Sequence, residues 1–204
     1  MITIYGKVRS RAPRVLWLAD EIGLDYQHVP TDHRAGEAKE PEFLAINPNG
    51  KIPVLVDGDL TLVESMAINL YLARKYAKAP LWPTSEGDQA LVNQWSYWGM
   101  TGIEPGLLKI LIEILFKTEE ERDSSVIDAA AEELKRPLTV LENHLSDRDY
   151  LLGGEFTVAD LNLASIISLQ LFAEYDICAP YPRAQAWLNR CLSRPAFQQV
   201  MASG

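Results

Sequence analysis

Glu64-Ser65 sets a carboxylate beside a hydroxyl at the start of a helical run that continues through Met66-Ala67-Ile68. A hydroxyl and an N–H at that place face the positive end of a helix, where anionic groups are stabilised. Upstream, Asn47-Pro48-Asn49-Gly50-Lys51-Ile52-Pro53-Val54-Leu55 reads as a turn followed by a proline that enters a strand. Pro53 has no N–H for a sheet ladder, so it belongs at a strand start or bend. An X-Pro amide there can be cis at little cost. Asp57-Gly58 signals a tight turn between Val54-Leu55-Val56 and Leu60-Thr61-Leu62-Val63. A strand edge beside a helix terminus suits a peptide-like ligand that carries carboxylates. Ser65 is also an ordinary N-cap, and the two roles are compatible.

Composition narrows the chemistry. The chain has 204 residues, 48% of them apolar, which is room for one large or two small domains with a sizeable core. Lys plus Arg is 19 and Asp plus Glu is 28, giving a formal charge of -9. Such a field disfavours nucleic acid and anionic membranes as partners, whereas a small anion needs only one or two local cations. No apolar run reaches the roughly 18 residues of a membrane span. The N-terminus enters a strand-like Ile2-Thr3-Ile4-Tyr5 in place of a signal peptide, so a cytoplasmic location is expected. Cys178 and Cys191 lack metal or redox spacing, which fits a reducing compartment. His28, His33 and His144 form no ligand pattern, so no metal is expected.

Residues 1–77 alternate between strand and helix signals. Ile2-Tyr5 and Tyr26-Val29 read as strands. Between them Ser10 to Ile22 reads as a helix, with Val15, Leu16, Ala19 and Ile22 on one face and Gly23 ending it. A short helical turn at Glu40-Leu44, the hairpin and a helix from Ser65 to Tyr76 follow. The order βαβ then αββα matches a thioredoxin-like α/β module. Residues 78–85, which include Pro80 and Pro83, read as a linker, and residues 86–204 as an all-α domain. One helix is expected from Glu86 to Phe116, a second long one up to Leu145 and a turn at Gly153-Gly154. Thr157 as N-cap with Asp160 at the third helical position makes a box-like cap, read as structural.

The stretch from Asn47 to Ile68 closely resembles the glutathione-binding half of the cytosolic glutathione transferases, whose pattern is Asn-Pro-x-Gly-x-Val/Ile-Pro-x-Leu and then Glu-Ser-x-Ala-Ile. Thr157-Val158-Ala159-Asp160, Trp187-Leu188-Asn189-Arg190 and Arg194-Pro195-Ala196-Phe197 resemble that family's later helices, so the likeness spans essentially the whole chain. It implies glutathione as co-substrate, with Ile52 and Pro53 on its cysteinyl part and Glu64 and Ser65 on its γ-glutamyl end. Lys39 and Lys51 are then the partners of the glycine carboxylate. Ala38 and Gly50 replace histidines common in related groups, which shifts that task to lysine.

Glutathione chemistry needs a thiolate, and an ordinary thiol with pKa near 8.5 is only a few per cent ionised at pH 7. Ser10, followed by Arg14, resembles the arrangement of the serine-type (theta- and phi-like) bacterial members, which implies that the Ser10 hydroxyl stabilises the thiolate. An ordinary cap is the plainer reading of a lone serine there. Tyr5 reads as core. A small electrophile should bind where Gly99, Thr101, Gly102, Glu104 and Pro105 interrupt the apolar pattern after Trp95, Tyr97, Trp98 and Met100; Met100, Thr101 and Glu104 are the candidate contacts. The family resemblance further implies a homodimer. The expected activity is conjugation. A glutathione-dependent peroxidase, isomerase or dehalogenase, and a non-catalytic scaffold of the same fold, are the alternatives.

Overall fold

The computed structural model describes residues 1–203, which divide into two compact units. The first comprises Met1–Trp82 and the segment from Ser193 onward, and the second is Pro83–Leu192. The division falls inside the stretch read as a linker, and the closing helix groups with the first unit.

The first unit is built on a four-stranded mixed sheet in the order β2-β1-β3-β4. Strands β1 (Ile2–Tyr5) and β2 (Tyr26–Val29) are parallel, as the intervening helix α1 (Ala12–Glu21) requires. Strands β3 (Val54–Asp57) and β4 (Leu60–Val63) are antiparallel. Asp57 pairs with Leu60, so the hairpin loop is Gly58-Asp59, one residue later than the sequence suggested. Gly58, at φ 61, supplies the left-handed backbone that such a loop needs. Helix α2 (Pro41–Ile46) follows a 3-10 turn at Glu37–Lys39. Tyr5, expected as core, is only partly buried and lies edge-on to Phe43 at 6.0 Å, against a small buried cluster of Phe43, Ala38 and Val54.

Helix α1 begins at Ala12, two residues after the expected Ser10, and Pro13 occupies its first turn, where a missing N–H costs little. It ends at Gly23: Leu24 N donates to Ala19 O and Gly23 N to Asp20 O, closing the last carbonyls. Helix α3 (Ser65–Tyr76) runs beside α1, and Asn69 Nδ2 donates to Arg14 O at 3.1 Å. Helix α9 (Pro195–Ala202) also packs against α1. Its Phe197 meets the fully buried Trp17 at 4.8 Å. Glu21 accepts from both Trp17 Nε1 and Arg194.

The second unit is helical. The run expected as one helix is divided into α4 (Glu86–Trp98) and α5 (Glu104–Phe116) by a π-turn at Gly99–Ile103. Glu104 N donates to Gly99 O, one residue further back than an α-helix allows. Gly99 lies so close to Leu163 and Ile166 that a Cβ would stand 2.7 Å from Ile166 Cδ1. Helix α6 (Ser124–His144) continues past Pro137. Glu113 near the end of α5 accepts from Lys117 Nζ at 2.6 Å and Asp123 N at 2.9 Å, bracing the turn into α6. Glu142 of α6 accepts from Arg183 N and Ala184 N and so caps α8 (Pro182–Leu192).

Helix α7 (Val158–Ile167) is buried along its whole length. Asp160 is 0% exposed and accepts from Leu151 N (2.7 Å), Thr157 N (2.9 Å), Thr157 Oγ1 (3.0 Å) and Trp187 Nε1 (2.9 Å). One carboxylate thus joins the 150s turn, the start of α7 and α8. Burial pushes its carboxyl up, and the donors pull it back.

Asp160→Ala should cost about 3 kcal/mol or more in urea unfolding, because several buried donors lose their acceptor together; a loss below about 1 kcal/mol would show that water replaces the carboxylate. In the first unit, Lys75 Nζ, Tyr71 OH and Tyr76 OH all donate to Asp57 Oδ2. Lys75 above all holds the Asp57 carboxyl at about 2, below its ordinary 3.8. The unfolded chain binds that proton more readily, so this stabilisation is full above about pH 4 and fades as the pH falls towards 2. Urea midpoints for Asp57→Asn should therefore fall less steeply than wild type across that window.

Candidate functional site

Register decides which residues meet. Tyr5, Val54 and Val63 are paired in a row across the end of the sheet. The residues next to them in sequence, Gly6, Pro53 and Glu64, leave the sheet at the same edge. Gly6 has φ 140, and a Cβ there would stand 2.7 Å from Ala12 Cβ and 3.4 Å from Ile52 Cβ. Gly6, which precedes the turn carrying Ser10, is thus packed closely between Ala12 and Ile52. The Ile52–Pro53 bond is cis.

Glu64 has φ 71 and ψ 111, a left-handed backbone that a residue with a Cβ adopts at a cost of order 1–3 kcal/mol. It occupies the N-cap position of α3 without a side-chain cap bond, and its side chain is exposed. Ser65, expected as a cap, is the first residue of the helix instead and is 3% exposed. The left-handed residue turns the chain sharply into α3, whose first N–H groups lack carbonyl partners within the helix. Arg14 Nη1 donates to Ser65 Oγ at 3.2 Å.

Ser10 sits in the turn before α1. Its hydroxyl donates to Lys7 O at 2.6 Å and accepts from Ala12 N at 2.9 Å. Those bonds delay the helix start to Ala12 and make Arg11 the capping residue. For its proton to reach a sulfur, the hydroxyl must rotate away from Lys7.

The 47–51 loop is held by Asn47, which is 2% exposed. Its Nδ2 donates to Lys51 O at 2.7 Å, and its Oδ1 accepts from Asn49 N at 3.1 Å. Lys39 lies over this loop with Nζ 3.4 Å from Asn49 O, and both Lys39 and Lys51 are exposed. Ser10, Lys39, Lys51, Ile52, Pro53, Glu64 and Ser65 all belong to the first unit, where strand register brings Pro53 and Glu64 to one edge. The organising roles of Asn47 and Arg14 escaped the sequence reading. The Asx-turn habit of an Asn before Pro-x-Gly was a signal for the first.

Met100, Thr101 and Glu104 belong to the second unit. Met100 is half-buried, the Thr101 hydroxyl donates to Tyr97 O at 3.0 Å, and Glu104 is 2% exposed. Among the described residues, α5 also carries exposed Ile112 (49%) and Phe116 (60%), spaced i, i+4 on one face. No group of His, Cys, Asp and Glu among the described residues could hold a metal. No helix there is long and apolar enough to cross a membrane.

A βαβ–αββα sheet domain, followed by a helical unit built on a buried Thr-x-x-Asp cap, is the glutathione transferase architecture. Residues 1–74 match the glutathione S-transferase N-terminal domain, and residues 103–195 the C-terminal domain. The chain belongs to the glutathione S-transferase family. It is 36% identical over 209 residues to glutathione S-transferase 3 of Zea mays, covering 99% of this chain and 94% of that relative. It is 33% identical over 204 residues to glutathione S-transferase GstB of Escherichia coli (strain K12), covering 98% of each. Among solved structures it resembles glutathione S-transferase-I bound with lactoylglutathione (TM-score 0.88, 34% identity, 98% of each chain). A theta class enzyme of Xanthomonas axonopodis pv. citri with glutathione bound is similarly close (TM-score 0.88, 34% identity, 97% of this chain and 95% of that one).

Gly50 has φ 56, and a Cβ on it would meet Lys39 Nζ at 2.7 Å and Ala38 O at 2.8 Å. Gly50→Ala should lower unfolding stability by about 1–3 kcal/mol, since both the backbone and its neighbours must shift. Urea denaturation is the check, and a midpoint equal to wild type would mean that the loop yields freely.

Proposed function

We propose that this chain conjugates the thiolate of glutathione to small, mostly apolar electrophiles. The observation that carries this reading is the left-handed turn at Glu64, which opens α3 at the sheet edge that Gly6 and Pro53 also leave, with Arg14 of α1 reaching Ser65. A γ-glutamyl carboxylate fits the Ser65 N–H and hydroxyl, with Glu64 answering the ammonium. The backbone of Ile52 pairs with the cysteinyl portion, and Lys39 and Lys51 face the glycine carboxylate. These contacts place the sulfur by the Ser10 turn. There the Ser10 hydroxyl exchanges Lys7 O for sulfur and stabilises the thiolate. Lowering the thiol pKa by about 2 units takes about 2.7 kcal/mol of preference for the anion. The thiolate then forms the new carbon–sulfur bond, while the electrophile releases its leaving group or opens its ring.

Met100 and Thr101, with the apolar face of Ile112 and Phe116, are the surface in the second unit for the electrophile, whereas Glu104, expected as a contact, is buried. Their support is an interrupted helix and exposed apolar side chains, which suit an apolar partner. The family resemblance supports a homodimer as the working form. Cys178 and Cys191, both buried free thiols, fit the reducing cytoplasm.

Two measurements test the reading together. Turnover with glutathione is assayed against aryl halides, epoxides, isothiocyanates and organic hydroperoxides. Thiolate absorbance of bound glutathione is titrated in wild type and Ser10→Ala. Conjugation of at least one electrophile class is expected, with the Ser10→Ala thiol pKa moved up towards about 8.5 and turnover reduced. Coincident titrations with full turnover would remove Ser10 from the mechanism, and turnover of hydroperoxides alone would make the protein a peroxidase.

A further inference from the structure

We propose that Arg14 is a positioning residue for glutathione recognition: it fixes the Ser65 hydroxyl so that its proton faces the carboxylate of the γ-glutamyl residue. The proposal rests on the reading that Ser65 holds that end of the ligand.

Arg14 is 1% exposed, and its Nη1 reaches Ser65 Oγ at 3.2 Å from a residue 51 positions earlier in the chain. Its own main chain is held to α3 by Asn69, which donates to Arg14 O at 3.1 Å. Arginine side chain and serine hydroxyl are therefore registered to each other by two bonds between the same pair of helices.

The direction of the first bond has a chemical consequence. A guanidinium has donors only, so Ser65 Oγ must be the acceptor. A hydroxyl has one proton and two lone pairs, and Arg14 uses a lone pair. Serine inside a helix commonly gives its proton to the carbonyl four residues back. Ser65 is the first residue of α3, and the chain four residues back is strand β4. No described residue accepts the Ser65 hydroxyl proton. The hydroxyl is thus held as a donor, and its proton is left for an acceptor arriving from outside. The guanidinium and the positive end of α3 add their fields at the same point, so a carboxylate is favoured over a neutral acceptor. Lysine in place of Arg14 keeps a charge but offers a compact ammonium without the rigid planar fork.

The test compares two ligands on one protein. Dissociation constants are measured by calorimetry, or by competition where binding is weak. The ligands are glutathione and 4-aminobutyryl-cysteinyl-glycine, which lacks only the γ-glutamyl carboxylate. Wild type should prefer glutathione by roughly 10- to 100-fold, the worth of one charged hydrogen-bonded contact. Arg14→Gln should cut this preference at least about fivefold, with the analogue's affinity changed less than about twofold. Arg14→Lys, the more conservative replacement should the glutamine variant fold poorly, should cut it several-fold. Ser65→Ala should also reduce it. If Ser65→Ala loses the preference while either folded Arg14 variant keeps it, Arg14 only packs helices and the proposal is wrong. Equal weakening of both ligands in the Arg14 variants would overturn it too. If Ser65→Ala keeps the preference, the placement of the γ-glutamyl end at Ser65 fails, and this proposal fails with it.

Discussion

The pairing of Tyr5, Val54 and Val63 across one end of the sheet is the constraint on which the candidate site depends. Side chains alternate along a strand, so a slip of one residue would invert every face of the partner strand. Here a slip would also separate Gly6, Pro53 and Glu64, the points at which three chain segments leave the sheet. Ile2, Ile4, Val54 and Leu55 bury the apolar faces that hold the register. The core thereby sets the geometry of the polar edge. Glu64 bears the conformational cost at that edge, where its left-handed backbone turns the chain from β4 into α3.

The helical unit is organised by a different means. Its apolar interior is interrupted by a few fully engaged polar groups. Asp160 gathers donors from three segments, and Asn162 Nδ2 reaches Ser96 Oγ at 2.8 Å to join α7 to α4. Such groups contribute little net energy when paired but are costly when a partner is missing, so they select one arrangement of the helices over near alternatives. The π-turn at Gly99–Ile103 belongs to the same logic. Gly99 lets Leu163 and Ile166 approach α4, and the extra residue in the turn then displaces the start of α5.

Features written in neighbouring residues were legible in the sequence. The bounds of α3, the strands at Ile2–Tyr5 and Leu60–Val63, and the Thr157–Asp160 cap all follow from local periodicity and capping chemistry. What was missed depends on groups distant in the chain or on competition between local options. Ser10 looked like a helix start, yet its hydroxyl prefers Lys7 O and Ala12 N, which shifts the helix to Ala12. Ser65 looked like a cap because the left-handed conformation of Glu64 leaves no mark in composition. The division of the Glu86–Phe116 run needed knowledge of which side chains press on Gly99. For the candidate site, the residue types and their shared segment were readable, whereas the partnership of Arg14 with Ser65 appears only when α1 and α3 lie side by side.

The grouping of α9 with the first unit bears on how the chain is made. Trp17 is wholly buried, and Phe197 and Arg194 close over it and over Glu21. During synthesis the ribosome delivers Pro83–Leu192 in full before the segment that finishes the first unit. The nascent sheet domain thus waits with an uncovered tryptophan on α1 while the helical unit emerges and can fold as a self-contained body. The first unit to leave the ribosome is in this sense the last to be complete. Its maturation is coupled to translation reaching residues beyond Ser193, which makes an interrupted chain visible as exposed aromatic surface.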